Sequence, residues 1–244
     1  MEDFKALFEE IVKSNNPEEI NDFLIKLSKY PNKLHLTFLQ YFVNNLDDEI
    51  LAKIKLNLIN TLGEIGRLEQ LDEVFLKFLS QAYYASDRWV RNEIIQAYRN
   101  TSRKSKLPDK TIELIGYAVN DDYLPIKINA LKFILDLENL PEFVLKNIFR
   151  LLNTKNTEVN ELCERIFDKF TMGTNKLFLW LNHAENYQLL KPHGIRSLLL
   201  IHFKSVINVE QFRKNILTSN WKDELKEIYL KEIDIYESIL LKNV

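Results

Sequence analysis

The chain has 244 residues, of which 46% are hydrophobic and 28% charged, and its formal net charge is −2 at pH 7. A chain of this length buries about 70–75% of its unfolded surface, so its core needs no disulfide or metal support. The composition excludes an intrinsically disordered chain, and the near-zero net charge argues against nucleic acid as the general partner.

Three features predict a cytoplasmic protein with no membrane span. The first ten residues, MEDFKALFEE, begin acidic and lack the basic start and continuous apolar stretch of a secretory signal. The longest apolar runs, such as residues 198–201, are far shorter than the ~20 residues that cross a bilayer. A single cysteine, Cys163, excludes an internal disulfide and fits a reducing compartment.

The sequence predicts helices along its whole length. Glycine and proline are scarce, and prolines fall where helices begin, as in Asn16-Pro17-Glu18-Glu19, which offers an N-cap and a proline in the first helical position. Caps and apolar periodicity predict fourteen helices joined by short loops, hence antiparallel hairpins. Their predicted ranges are 3–14, 17–30, 34–46, 48–65, 68–84, 87–102, 109–120, 123–138, 141–153, 157–171, 175–189, 193–205, 208–218 and 221–241.

A motif recurs at the length of one helical hairpin. Each copy has capping residues, then an apolar–polar pair at the start of a helix, then apolar residues four and seven positions later. The pairs are Ala52-Lys53, Val90-Arg91, Ile126-Lys127 and Val159-Asn160, separated by 38, 36 and 33 residues. The apolar residues are Leu56, Ile94, Ala130 and Cys163, and then Ile59, Ala97, Phe133 and Ile166.

This pattern resembles HEAT repeats, in which helix A leads through a turn into helix B with a Val-Arg or Val-Lys pair. The segments 51–66, 89–100 and 125–136 carry the likeness, which covers residues 34–171. The resemblance implies an all-α fold, an α-α superhelix: a right-handed solenoid of antiparallel helical hairpins, with the B helices on its concave side. We expect one domain over 1–244, in which 1–33 is an N-terminal capping hairpin and 172–244 forms atypical C-terminal hairpins.

In HEAT repeats an aspartate about six positions before the basic residue bonds to it between adjacent repeats. Asp47 with Lys53 and Asp121 with Lys127 keep this spacing. The other two copies depart from it, since one has Asp87 only four residues before Arg91 and the other has Thr154 and Asn160. The resemblance therefore implies a polar ladder that is broken in these two copies.

Two sets of side chains are candidate partner-binding residues. Tyr84, Trp89 and Tyr123 fall near the turns that precede B helices, where aromatic side chains can anchor a partner; the alternative is that they pack between repeats. The polar positions of the B helices lean basic and can hold an acidic peptide or helix; the alternative is a solvated helix face. These positions are Lys55, Arg91, Glu93, Gln96, Lys127, Asn129, Lys132 and Arg165.

The segment RNTSRKSKLPDK (99–110) is the strongest basic cluster of the chain, with five bases against one acid, Asp109. It can contact phosphate or anionic lipid, or it is a solvated loop placed near a helix C-terminus, where cations are favourable.

Catalytic and cofactor-binding motifs find little support. The four histidines, at positions 35, 183, 193 and 202, do not occur at metal-ligand spacing, and Cys163 falls on a core position. Gly63 and Gly66 end a helix and follow no strand, so they form no phosphate-binding loop. We expect no catalytic residue, no metal and no cofactor.

The leading hypothesis is a non-enzymatic protein–protein interaction module, an adaptor or scaffold that binds its partner along the concave B-helix surface. The alternative is a HEAT-like alkylpurine DNA glycosylase or another nucleic-acid-binding solenoid. Asp87, Trp89 and Arg91 are the residues that come nearest to the acidic, aromatic and basic side chains of such a cleft. No motif of those enzymes matches, and the chain lacks the basic stripe that DNA binding requires. The sequence leaves the oligomeric state open.

Overall fold

The computed structural model describes residues 4–170, 173–203 and 205–242, and these residues form fourteen α-helices and no strand. The helices are α1 (Phe4–Ser14), α2 (Pro17–Lys29), α3 (Leu36–Asn45), α4 (Asp48–Gly66), α5 (Glu73–Tyr84), α6 (Arg88–Ser102), α7 (Asp109–Ala118), α8 (Leu124–Asp136), α9 (Glu142–Leu151), α10 (Thr157–Lys169), α11 (Thr174–Asn182), α12 (Pro192–His202), α13 (Val206–Leu217) and α14 (Asp223–Lys242). Short 3-10 helices occupy Lys33–His35 and His183–Leu189. Each of the fourteen predicted helices therefore corresponds to one helix of the structure.

Predicted capping residues close the N-termini of several helices. The Asn16 side chain accepts a hydrogen bond from the Glu18 amide at 2.9 Å, and Asp47 accepts one from the Ile50 amide at 2.8 Å. Asn156 caps α10 in the same way. Each cap satisfies backbone donors that have no partner within the helix, so it fixes where the helix begins.

Two predicted helix boundaries are wrong. The helix predicted from residue 68 begins at Glu73, because the chain turns after Gly66 and residues 67–72 form the connection. The helix predicted over 175–189 ends at Asn182, where Ala184 and Glu185 take positive φ angles of 47° and 55°. A left-handed backbone cannot continue a right-handed helix, so α11 ends here and the chain is kinked at these two residues.

Small parts of the predicted segments lie outside the described residues. They are residues 1–3 of the N-terminal hairpin, residue 171 of the tenth predicted helix, residue 204 of the twelfth, and residues 172 and 243–244 of the C-terminal segment.

The chain divides into two compact units. Unit 1 comprises Met1–Ile115 and Tyr123–Asn129, and unit 2 comprises Gly116–Asp122 and Ala130–Val244. The proposal of a single domain over 1–244 stays a prediction.

Within each unit, helices pack in chain order. In unit 1, α2, α4 and α6 lie side by side, while α1, α3 and α5 each pack against the helix that follows. In unit 2, α10, α12 and α14 form the corresponding row, and α9 and α13 pack against α10 and α14. The fold is thus all-α with helices stacked on their sequence neighbours, as in an α-α superhelix; its right-handedness stays a prediction.

The core positions predicted for the last three copies of the motif are buried, and the register of the first copy is wrong by two residues. Leu56, predicted to face the core, is 44% exposed, whereas Ile54 and Leu58 are fully buried. The first pair is therefore Ile54-Lys55, which lies 36 residues before Val90-Arg91. The predicted core residues of the other copies, Ile94, Ala97, Ala130, Phe133, Cys163 and Ile166, are all buried, as is Ile59.

Candidate protein-interaction surface

The first turn of α6 presents an exposed tryptophan in a fixed position. Asp87 caps this helix by accepting hydrogen bonds from the Trp89 and Val90 amides at 2.9 and 3.0 Å. The Trp89 ring stands edge-on to the Tyr123 ring, with centroids 5.7 Å apart, yet Trp89 is 57% exposed. Trp89 therefore packs against Tyr123, while more than half of its surface remains exposed.

Arg88 completes this cluster, and sequence reasoning missed it. Its guanidinium carbon lies 5.2 Å from the Trp89 ring centroid and 5.1 Å from that of Tyr123, within the range of a cation–π interaction. We call these three residues the Arg88–Trp89–Tyr123 cluster. The signal that was available is the adjacency of a basic residue to a tryptophan at a helix start.

Exposed apolar surface flanks the cluster. Tyr84, at the C-terminus of α5, is 70% exposed and stands edge-on to Tyr83 with ring centroids 5.6 Å apart. Leu124, the residue after Tyr123, is also exposed. Tyr84 and Trp89 thus lie at the two ends of the short α5–α6 turn, with the apolar surface that a protein partner requires.

Several predicted polar binding residues hold the helices of unit 1 together. Arg91 donates a hydrogen bond from its guanidinium to the Ser86 carbonyl at 3.1 Å, which fixes the turn before α6. Glu93 and Asn129 belong to a series of side-chain hydrogen bonds between neighbouring helices. The pairs are Asn57 with Asn21 at 2.7 Å, Asn60 with Glu93 at 3.0 Å, and Asn129 with Asn92 at 2.8 Å.

The remaining predicted binding residues have varied surroundings. Gln96 is exposed on α6, and Lys127 and Lys55 are half-buried in unit 1. In unit 2, Lys132 lies 3.6 Å from the Glu158 carboxylate, and Arg165 is exposed.

Two residues of the polar ladder implied by the HEAT resemblance have local contacts. Lys53, which the corrected register moves off the ladder position, forms an ion pair with Glu49 at 2.7 Å, one turn earlier on the same helix. Asn160 donates a hydrogen bond to the Thr154 carbonyl at 3.2 Å, which fixes the turn that precedes α10.

The basic segment 99–110 spans the end of α6 and the loop to α7. Leu107 is buried and anchors this loop, whereas four of the five cations in the segment are exposed. Four exposed cations have no ion-pair partner among the described residues: Arg103, Lys104, Lys106 and Lys110.

The residues with catalytic potential have structural surroundings. Cys163 is fully buried, and burial raises the pKa of its thiol to about 12, so the group is a neutral thiol at pH 7. The rings of His35 and His202 pack against phenylalanine rings, those of Phe4 and Phe38 for His35 and that of Phe203 for His202. His183 lies near the Glu142 carboxylate, and His193 lies within hydrogen-bond distance of the Thr154 carbonyl. In the part of the chain that the structure describes, no three His, Cys, Asp or Glu residues are grouped to hold a metal ion.

Comparisons with known proteins find a similar fold and do not assign the chain to a family. No family model matches the chain, and no curated protein matches its sequence. A crystal structure of an engineered protein from the Northeast Structural Genomics Consortium is similar, with a TM-score of 0.54 and 13% identity over 96% of this chain and 97% of that chain. At that identity the similarity concerns the fold alone. Across residues 4–170, 173–203 and 205–242, no helix combines the length and the apolarity needed to cross a bilayer.

Proposed function

We propose that this protein is a non-enzymatic interaction module, an adaptor or scaffold of the HEAT-like solenoid class, which works in the cytoplasm. Its partner is a protein segment that lies along the exposed face of α6. The observation that carries the proposal is Trp89, which is held by a helix cap and a cation–π contact while more than half of its side chain remains exposed.

An exposed tryptophan of this kind favours binding for two reasons. Tryptophan and tyrosine dominate the energetics of protein interfaces because they bury a large area with few rotatable bonds. The cap, the Arg88 stacking and the Tyr123 contact already restrict Trp89 in the free protein, so little conformational entropy is lost on binding.

The charge around α6 indicates an acidic peptide or helix as the partner. Residues 88–106 contain six basic side chains and one acidic side chain, Glu93, although the whole chain is slightly acidic. Cations and aromatic groups on one helix are complementary to a segment that combines carboxylates with apolar side chains.

The glycosylase alternative is less well supported. The Asp87 carboxylate accepts hydrogen bonds from two backbone amides, and Arg91 donates a hydrogen bond to the Ser86 carbonyl. Both side chains therefore stabilise the α5–α6 turn. A nucleic-acid-binding role also requires a continuous cationic stripe, which the acids at positions 87, 93 and 122 interrupt.

Affinity capture with matched variants tests the proposal. We expect a specific protein to be retained by the wild type and lost by the Trp89→Ala, Tyr84→Ala double variant. The control is Tyr30→Ala, which removes a similarly exposed aromatic side chain at the end of α2 and should retain the same protein.

Circular dichroism must show unchanged helix content in each variant. Retention of the same partner by the correctly folded double variant would contradict the proposed surface. Binding to duplex DNA with steep salt dependence would favour the glycosylase or another nucleic-acid-binding role instead.

A further inference from the structure

Arg88 occupies an unusual position for a surface arginine. Its guanidinium carbon lies 5.2 Å from the centroid of the exposed Trp89 ring and 5.1 Å from that of the half-buried Tyr123 ring. No ion pair or hydrogen bond engages its side-chain N–H donors within the described part of the chain. The rings therefore orient a planar group whose five donors are left for another molecule.

The two carboxylates at the cap and in the first turns of α6 accept hydrogen bonds from other groups. Asp87 caps α6, and Glu93 accepts a hydrogen bond from Asn60. The cations along residues 88–106 outnumber the acid among them, and they are Arg88, Arg91, Arg99, Arg103, Lys104 and Lys106.

We propose that the Arg88–Trp89–Tyr123 cluster is a carboxylate-binding site that receives an Asp or Glu side chain of a partner segment. Arg88 binds the carboxylate through two parallel N–H···O hydrogen bonds, the geometry that a guanidinium shares with a carboxylate. The exposed surfaces of Trp89 and Leu124 contact the apolar side chains beside it. This inference rests on the proposed function, since it names the chemistry by which the α6 surface selects its partner.

A peptide carboxylate fits this site better than a nucleic-acid backbone. A phosphate backbone places a negative charge at every nucleotide, and along α6 it would meet the Asp87 and Glu93 carboxylates as well as the cations. The basic loop at 103–110 does not extend the site, because it follows the C-terminus of α6, whereas Arg88 lies at the N-terminus. The 15 residues of α6 place its two termini about 22 Å apart. One guanidinium flanked by apolar surface is matched by one acidic side chain with apolar neighbours.

The test uses two capped octapeptides as probes, one with four Glu-Leu repeats and one with four Gln-Leu repeats, and follows Trp fluorescence. Trp89 is the exposed reporter, whereas Trp221 is buried and Trp180 is half-buried. We expect saturable binding of the Glu-Leu peptide and about tenfold weaker binding of the Gln-Leu peptide, since hydrogen bonds to charged groups are the stronger ones.

Two variants of Arg88 and one matched control complete the test. Arg88→Ala should weaken Glu-Leu binding about tenfold, and Arg88→Lys should weaken it several-fold, because lysine keeps the charge and loses the planar fork. Arg103→Ala removes an equal charge from the other end of α6 and should leave the affinity within about twofold of wild type.

The proposal is overturned if Arg88→Ala binds the Glu-Leu peptide as wild type does, or if the wild type shows no saturable binding of it. Equal binding of the two peptides, or tighter Arg88-dependent binding of a single-stranded oligonucleotide, also overturns it. If the protein captured by the wild type is lost with Trp89→Ala and kept by Arg88→Ala, the carboxylate site is wrong and the interaction role stands. If the Trp89→Ala, Tyr84→Ala variant keeps that protein while Arg88→Ala loses the peptide, the proposed interaction surface is wrong and the carboxylate-binding site stands.

Discussion

Gly63 of α4 lies directly against Ala97 of α6. A β-carbon at position 63 would stand 3.0 Å from the Ala97 Cα and 3.1 Å from its Cβ. Since one of these atoms belongs to the backbone of α6, the neighbour cannot rotate away. The two helices therefore approach this closely because position 63 carries no side chain.

We predict that Gly63→Ala destabilises the protein by about 1–2 kcal/mol. Overpacking of a tight contact costs about 1–3 kcal/mol, and the better helix propensity of alanine offsets up to about 1 kcal/mol. Urea unfolding followed by circular dichroism measures the difference. The control is Gly173→Ala, where no atom lies within 4 Å of the added carbon and the change should be smaller. A Gly63→Ala variant as stable as wild type would contradict the close approach.

Asn129 of α8 and Asn92 of α6 form a side-chain hydrogen bond within unit 1. The Asn129 amide donates to the Asn92 side-chain oxygen at 2.8 Å in a half-buried position. We expect Asn129→Ala and Asn92→Ala each to cost about 1 kcal/mol, and the double variant to cost clearly less than the sum. Asn175→Ala, at an exposed position, is the control and should have little effect. Strictly additive losses at positions 92 and 129 would argue against the hydrogen bond.

His35 makes the stability of the protein depend on pH. Its ring lies against Phe4 and Phe38, its Nδ1 is buried with no hydrogen-bond partner among the described residues, and burial lowers its pKa below the ordinary value of 6.5. The unfolded chain then binds the proton more readily than the folded one, so this contribution to stability is complete above pH 6.5 and is lost as the pH falls below it.

Replacing His35 with phenylalanine should therefore reduce the loss of stability between pH 8 and pH 5. The urea midpoint of each protein at pH 8, 6.5 and 5 measures this. Burial also lowers the pKa of His202, which contributes a dependence of the same sign in both proteins, so His202→Phe is the matched comparison. Identical pH profiles of wild type and His35→Phe would show that His35 does not titrate in this range.

The sequence predicts the helices well and the register of α4 poorly, for a physical reason. Ala52, Ile54, Leu56 and Leu58 are all apolar, so the pattern allows two registers that differ by two residues. Which one is adopted depends on the close packing of α4 against α2 and α6, and this buries Ile54 and Leu58 while Leu56 stays exposed. The apolar periodicity of the sequence alone cannot decide between the two registers of α4.

The candidate site shows the same limit. Trp89 and Tyr123 could be singled out from their equivalent places in successive repeats, but their exposure depends on how neighbouring helices meet. The role of Arg88 depends on two rings that are 34 residues apart in the chain, and its adjacency to Trp89 indicates only one of the two contacts. Likewise, Glu93 and Asn129 look like free surface positions until their partners on adjacent helices are known.

The claim that the exposed face of α6 binds a protein segment is tested most directly by site-specific photo-crosslinking in cells that express the protein. Gln96 is the best position for the photoreactive residue, because it is exposed and lies seven residues after Trp89 on the same helix face. We predict that position 96 forms a covalent adduct with one specific protein, that Trp89→Ala abolishes this adduct, and that the control position Tyr30 gives none. No adduct at position 96, or equal yields at both positions, would contradict the claim.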